Sequence, residues 1–113
     1  MRNAWLLFWS VALFAQSTDQ ALESSRQRID SIDDRIVTLL NERAQVVREA
    51  GLIKKKFHAP ASAPGREEQV MRRVSGKAQA PLAPTAVEAI YRSILHEMSA
   101  MEAAEMEKES RTR

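Results

Sequence analysis

Apolar side chains recur at alternating intervals of three and four residues from Leu22 to Phe57, the spacing of a helix with a single apolar seam. Counting in sevens gives two sets of seam positions, which are Leu22, Ile29, Ile36, Arg43, Ala50 and Phe57 in the first, and Ser25, Ile32, Leu39, Val46 and Ile53 in the second. Residues 19–57 contain no proline, and Gly51 is their one helix breaker. We therefore predict a first helix over about residues 19–57, roughly 57 Å long at a rise of ~1.5 Å per residue.

Two shorter helices are predicted to follow. Residues 58–65 contain two prolines and a glycine, which is typical of a connection. The second helix is predicted over about residues 66–77. The third is predicted to begin at Pro84, because proline favours the first helical position, and to fray from Glu102 onwards, where the sequence becomes polar. The apolar face of the second helix comprises Val70, Met71 and Val74, and that of the third comprises Val87, Ile90, Tyr91, Ile94, Leu95, Met98 and Met101.

These patterns predict an all-α fold of three helices, one of them very long. Only three glycines and 5% aromatic residues argue against a β-rich fold. About 45 residues in the two shorter helices cannot cover the whole seam of a ~57 Å helix in a compact domain. Because an uncovered apolar seam is normally buried against another helix, we expect a homodimer.

Composition narrows the possible functions. The chain has no cysteine, which excludes disulfide bonds, thiolate zinc sites and a cysteine nucleophile. Its two histidines, His58 and His96, are too few for a histidine-rich site, and we predict no metal. The net charge is +2, with acidic residues interleaved among the basic ones, so the sequence does not predict nucleic-acid binding.

The N-terminus has a different pattern. Arg2 is followed by an apolar run over residues 4–15, broken only by Ser10. A run of about a dozen residues is too short to span a bilayer and has the length of a signal-peptide core. We predict that residues 1–15 are a signal peptide and that residues 16–113 are the helical domain of an exported protein, periplasmic or secreted, without stable membrane insertion after cleavage. The alternative is a short N-terminal helix that is buried or associated with a membrane.

Arg43 occupies a seam position where a hydrophobic residue is expected. One explanation is that its charge fixes the register or the oligomeric state at some cost in stability. Another is ligand binding, because Lys54 lies eleven residues further on, three turns away on nearly the same face.

Arg26 lies 17 residues before Arg43, or ~26 Å along the axis, too far to share a small ligand within one chain. In an antiparallel dimer crossing near residue 38, Arg26 of one copy falls opposite position 50 of the other. The three cations then converge on a pocket suited to a small anion.

The order of these residues resembles the all-α, AroQ-class chorismate mutases. The shared pattern is an arginine (Arg26), then "IDSID", "LLNER" and "GLIK", and finally "RE" beginning at Arg66, and it covers about residues 22–102. The resemblance implies an intertwined antiparallel homodimer with a cationic pocket, in which Arg66 is a supporting charge. It also implies the rearrangement of chorismate, a small dianion, to prephenate, a unimolecular reaction that needs no cofactor.

The resemblance implies a role for each matching residue. Arg43 and Arg26 of a second copy bind the substrate carboxylates, which suit the paired donors of a guanidinium. Lys54 contacts a carboxylate and the ether oxygen, where negative charge develops as the C–O bond breaks. Glu67 accepts a hydrogen bond from the ring hydroxyl. Glu102 corresponds to a glutamine or glutamate beside the ether oxygen, and a glutamate donates there only when protonated. Without the resemblance, Glu67 is explained by the helix dipole and Glu102 by a solvated helix edge.

Two positions depart from the family pattern. Ala63 stands where many members have an acid near the ring hydroxyl, and Met98, beside Ser99, stands where many have a serine. Isochorismate-pyruvate lyase, a related activity that uses the same arrangement of cations, is the alternative enzyme. The alternative of another class is a non-catalytic helical dimer that binds a partner protein through Met98, Met101 and the seam.

Overall fold

The computed structural model describes the backbone from Asn3 and the side chains from Ser17, in both cases to Arg113. It contains three helices, α1 (Asn3–Lys56), α2 (Arg66–Ser75) and α3 (Pro84–Arg111), and the described residues form no strand. The prediction of an all-α fold with one very long first helix is confirmed. The chain divides into two units, with the boundary between Asn41 and Glu42.

In the first unit, the apolar seam of α1 is exposed to solvent. The exposed fractions are 42% for Leu22, 55% for Ile29, 50% for Ile32, 48% for Ile36 and 59% for Leu39. Fully burying a side chain of this kind stabilises a protein by about 1.5–3 kcal/mol. In a single chain, the seam that the heptad spacing predicts is therefore a large apolar surface exposed to solvent.

The predicted signal peptide, residues 1–15, lies outside the residues whose side chains are described, and it stays a prediction. The helix α1 begins at Asn3 rather than near Asp19, because no proline or glycine precedes Gly51. Among the described residues, no helix is both long enough and apolar enough to cross a membrane.

In the second unit, α2 packs against α3 through its predicted apolar face. Val70 and Val74 are buried, and Met71 is half-buried. The α3 stripe is half-buried except at Ile90, which is 52% exposed in the single chain. Ile90 precedes Tyr91 by one residue and lies about 100° around the helix from it, outside the row that faces α2.

The prediction that α3 frays from Glu102 is wrong, because the helix continues well beyond that residue. Two side-chain contacts hold its last turns against α1. Arg48 Nε lies 3.3 Å from Glu105 Oε2, and Lys55 Nζ lies 3.0 Å from Ser110 Oγ. A polar segment therefore stays helical because tertiary contacts compensate for its lack of an apolar stripe.

The connection from α1 to α2 turns back past the end of α1. His58 has a φ of 53°, in the left-handed region that often terminates a helix, and the amide of Ala59 donates to the Lys54 carbonyl at 2.8 Å. Gly65 has a φ of 80°, which glycine adopts without strain, and α2 begins at the next residue, Arg66. These two turns bring the connection alongside the Lys54 side chain.

Candidate active site

Four of the five predicted site residues line one cavity in the second unit. Arg43 and Lys54 come from α1, Glu67 from the first turn of α2 and Glu102 from α3, around a volume of about 130 Å³. Arg43 and Lys54 share this cavity because eleven residues are close to three helical turns. The roles of these four residues stay predictions, but their spatial convergence is a feature of the fold.

The Lys54 ammonium makes two short hydrogen bonds inside the cavity. Its Nζ donates to Oε1 of Glu102 at 2.9 Å and to the Ala61 carbonyl at 2.8 Å. The side chains of Lys54 and Glu102 are 31% and 15% exposed, so their contact is partly shielded from solvent. An ammonium has three donors, and the third has no partner in the described part of the chain. Lys54 is therefore fixed in position with one N–H free for a ligand.

Glu102 packs against the backbone of α1 rather than projecting into solvent from the edge of α3. Its Oε1 accepts the hydrogen bond from Lys54. Its Oε2 is then the oxygen that can carry a proton and donate it in a hydrogen bond. The solvated-edge explanation of this residue is therefore wrong, because the contact with α1 covers its side chain.

Cations outnumber carboxylates around the cavity. The wall contains Arg43, Lys54 and Arg66 against Glu67 and Glu102. Arg66 donates to a neighbouring side chain on α2 at 2.8 Å. Arg43 is half-buried and forms no ion pair with any residue that the structure describes. A half-buried guanidinium without a counter-ion favours binding of an anion.

A second cavity shares part of this wall. It has a volume of about 360 Å³, includes Arg43, Arg66 and Glu67, and adds Arg73. The cationic surface around Arg43 therefore extends beyond the smaller cavity to Arg73.

Arg26, the fifth predicted site residue, lines neither cavity. It lies on α1 in the first unit, where its Nη1 is 3.9 Å from Asp19 Oδ1 and its side chain is 56% exposed. An exposed pair at this distance contributes little to stability, so Arg26 is available for another anion.

A larger groove of about 620 Å³ lies between α2 and α3. Its charged lining comprises Glu67, Glu68 and Glu88 against Arg72 and Arg92. Three carboxylates outnumber two guanidinium groups there, which disfavours a dianionic ligand. Volume alone therefore does not identify the anion site.

The two departures from the family pattern both face the cavity. Ala63 and Met98 contribute apolar lining at the positions where an acid and a serine were expected, and Ser99 lines the same cavity one residue further on. Ser99 can supply a hydroxyl to a ligand, although from a different position on the helix.

The carbonyl of Ala61 was not predicted as part of the site. A backbone acceptor leaves no signal in residue type, because every residue carries one. The only relevant signal is the short connection with Pro60 and Pro64, which restricts the path of the chain beside Lys54. Gly51, which contacts Glu102, was noted as a helix breaker and as the first residue of the GLIK motif, but no role was predicted for it.

Comparison with known proteins places these residues in context. Residues 25–103 match the family model for chorismate mutase type II. A bifunctional chorismate mutase/prephenate dehydratase from Neisseria gonorrhoeae is 35% identical over 88 residues, which are 78% of this chain and 24% of that protein. One from Aquifex aeolicus is 38% identical over 55 residues, which are 49% of this chain and 15% of that protein. The chain thus spans about a quarter or less of the length of these curated relatives.

A solved structure has the same fold. The crystal structure of chorismate mutase from Helicobacter pylori in complex with prephenate superposes with a TM-score of 0.71 at 24% sequence identity. The match covers 79% of this chain and 97% of that chain. At this level of identity, the similarity establishes a shared three-helix fold.

Proposed function

Because this chain belongs to the chorismate mutase type II family, we propose that it catalyses the rearrangement of chorismate to prephenate. The observation that carries the proposal is the cavity in which Lys54, paired with Glu102 at 2.9 Å, lies beside Arg43, a guanidinium without an ion pair among the described residues. The family match includes both of these cations as well as Arg26 and Glu67.

The chemistry fits a site that supplies charge and shape, because this reaction needs no nucleophile. In this reaction an ether C–O bond breaks while a C–C bond forms, and the product is an isomer of the substrate. No water, redox partner or net proton transfer is needed. The protein has to hold the flexible side chain over the ring and stabilise the charge that develops on the ether oxygen.

Each cavity residue has a function in this scheme. Arg43 binds a substrate carboxylate, because its guanidinium has no other anionic partner. The free N–H of Lys54 points to the ether oxygen and stabilises the transition state more than the ground state. Protonated Glu102 donates to the same oxygen through Oε2. Glu67 accepts a hydrogen bond from the ring hydroxyl of the substrate, and this hydrogen bond orients the ring.

We also propose that the active form is an intertwined antiparallel homodimer in which Arg26 of a second copy completes the site. The exposed seam of the first unit supports this proposal, because a second α1 would bury it. The cavity is also small, at about 130 Å³ against the ~300 Å³ or more that is usual for a ligand pocket. A second chain that closes over the cationic surface would enlarge and enclose it.

We further propose that residues 1–15 are a signal peptide and that residues 16–113 are exported to the periplasm or secreted. The short apolar run after Arg2 supports this. Intact-mass spectrometry of protein recovered from the periplasm or medium should show the loss of residues 1–15. Recovery of the full-length mass from the cytoplasm alone would contradict the export proposal.

The test of the activity compares two substrates. Purified protein is incubated with chorismate and with isochorismate, and prephenate is measured in the first reaction and salicylate plus pyruvate in the second. Prephenate formation supports the proposal. Isochorismate-pyruvate lyase is the second candidate, favoured by the apolar lining at Ala63 and Met98, and salicylate formation would select it.

A non-catalytic helical dimer is distinguished by ligand dependence. A small dianion that binds in the cavity raises the unfolding temperature of the protein. The unfolding temperature of a dimer that only binds a partner protein should not change when the dianion is added. Stabilisation by chorismate or prephenate therefore supports a ligand site even before turnover is measured.

The proposed donor role of Glu102 predicts a pH dependence. The carboxyl of Glu102 can donate a hydrogen bond only while it carries a proton, so kcat/KM is expected to fall at higher pH. Glu102→Gln replaces the acid with an amide that donates at every pH. This variant should therefore show a flatter profile and more activity at neutral pH. A wild-type profile that is already flat, or an unchanged profile in Glu102→Gln, would rule out the donor role.

A further inference from the structure

Gly51 is buried in α1 on the side that faces α3. Glycine is unfavourable inside a helix, because it loses more conformational freedom on folding than other residues do. Its φ is not positive, so the backbone conformation does not require glycine at this position. Glycine is needed here because the side chains of α3 leave little space for a Cβ atom on α1.

The space at Gly51 is occupied by the proposed catalytic carboxylate. A Cβ atom on residue 51 would lie 3.1 Å from Glu102 Cγ, 3.3 Å from Glu102 Oε1 and 3.1 Å from Met106 Cε. Contacts this short force the neighbouring atoms to move, since carbon atoms pack optimally at about 3.5–4.0 Å. Lys54 lies three residues after Gly51, on the same face of α1, and binds Oε1 at 2.9 Å. Glu102 is therefore held between a bare backbone surface and an ammonium group.

The contacts on either side restrict how α3 can adjust. Arg48 pairs with Glu105 at 3.3 Å, and Lys55 donates to Ser110 at 3.0 Å. Both α3 partners lie beyond residue 103, where the family match ends, as does Met106. A Cβ atom at position 51 therefore requires the side chains of Glu102 and Met106 to move by a few tenths of an ångström, while these contacts hold α3 in place.

We propose that Gly51 is a positioning residue for Glu102. The absence of a side chain at position 51 lets the carboxylate lie against α1 in contact with Lys54 through Oε1, which leaves Oε2 for the substrate. This inference rests on the proposed chorismate mutase activity. It adds a residue that touches no substrate and acts through the placement of Glu102.

The test is Gly51→Ala in the full chain. We expect kcat to fall about tenfold or more with little change in KM, because Glu102 acts on the transition state. The unfolding temperature should change little, because the better helix propensity of alanine offsets the cost of the tight contacts at position 51. Glu49→Ala changes an exposed residue two positions earlier and should leave activity unchanged. Unchanged kcat in Gly51→Ala would overturn the inference.

A double-mutant cycle separates positioning from general damage. In a Glu102→Ala background the group that Gly51 positions is absent, so adding Gly51→Ala should cause no further loss of kcat. A full additional loss in that background would contradict a role through Glu102. If Gly51→Ala alone folds poorly, Gly51→Ala with Met106→Ala removes one of the two contacts. The loss of kcat should persist in that variant, and recovery to the wild-type value would contradict the inference.

A crystal structure of Gly51→Ala decides the point without reference to activity. We expect the distance between Lys54 Nζ and Glu102 Oε1 to open beyond the hydrogen-bonding limit of about 3.5 Å. A retained distance of 2.9 Å would overturn the positioning role. Inactive wild-type protein would instead contradict the proposed function, and this structural result would still stand on its own.

Discussion

Lys54→Met is expected to lower kcat for the conversion of chorismate to prephenate by about 10²- to 10³-fold. Methionine keeps much of the lysine stem but removes the donor that faces the developing negative charge, and the loss of one such donor costs about this much. The effect on KM should be smaller, because the interaction is strongest in the transition state. Steady-state measurement of chorismate consumption checks this prediction.

The matched control is Lys56→Met, which removes an exposed lysine from the same end of α1. Its kcat and KM should be close to those of the wild type. Circular dichroism and the unfolding temperature verify that Lys54→Met is folded, since it leaves Glu102 without its cation. A Lys54→Met enzyme within about threefold of the wild-type kcat would exclude the role of Lys54 at the ether oxygen.

The second large effect concerns the sharing of one site between two chains. Arg26→Ala and Arg43→Ala should each lower kcat/KM by about 10²- to 10⁴-fold, because each removes two charge-assisted hydrogen bonds worth about 1.5–3 kcal/mol apiece. A heterodimer of the two variants has one site with both arginines intact. Equal mixing with full exchange makes half of the dimers heterodimers, so about a quarter of the wild-type activity should return.

A control mixture gives the opposite expectation. Arg43 and Lys54 line the same cavity of the same chain, so a heterodimer of Arg43→Ala and Lys54→Met has no intact site. It should stay inactive after the same exchange procedure. Mass spectrometry of differently tagged chains verifies that exchange has occurred. Recovery in the control, or no recovery in the Arg26→Ala and Arg43→Ala mixture, would contradict the shared site.

The spacing of residues within one helix predicted much of this molecule. The heptad positions of α1 located its exposed seam, and the eleven-residue separation brought Arg43 and Lys54 to one cavity. Pro84 marked the start of α3. Each of these features depends on the regular geometry of a single helix, which a sequence determines locally.

Features that depend on contact between distant segments were missed. The polar sequence after Glu102 gave no indication that Glu105 and Ser110 would bind α1 and extend α3. The importance of Gly51 was hidden for the same reason, because only the approach of α3 gives its missing side chain a function. The family resemblance assigned Glu102 to the site, but the contact that positions it required the tertiary structure.

The apolar lining at Ala63 and Met98 bears on substrate preference rather than on the core chemistry. Neither residue replaces Lys54 or Arg43, which provide the charges that the rearrangement requires. Fewer polar contacts to the ring hydroxyl and the carboxylate should weaken substrate binding. For the proposed mutase reaction, the expected consequence is a raised KM for chorismate.

The most direct measurement is the formation of prephenate from chorismate by the purified full-length chain and by residues 16–113. The account predicts saturable conversion by both proteins, without an added cofactor, and a strong decrease in Arg43→Ala prepared in parallel. It also predicts no salicylate from isochorismate under the same conditions. A folded, dimeric protein that forms no prephenate would contradict the central claim.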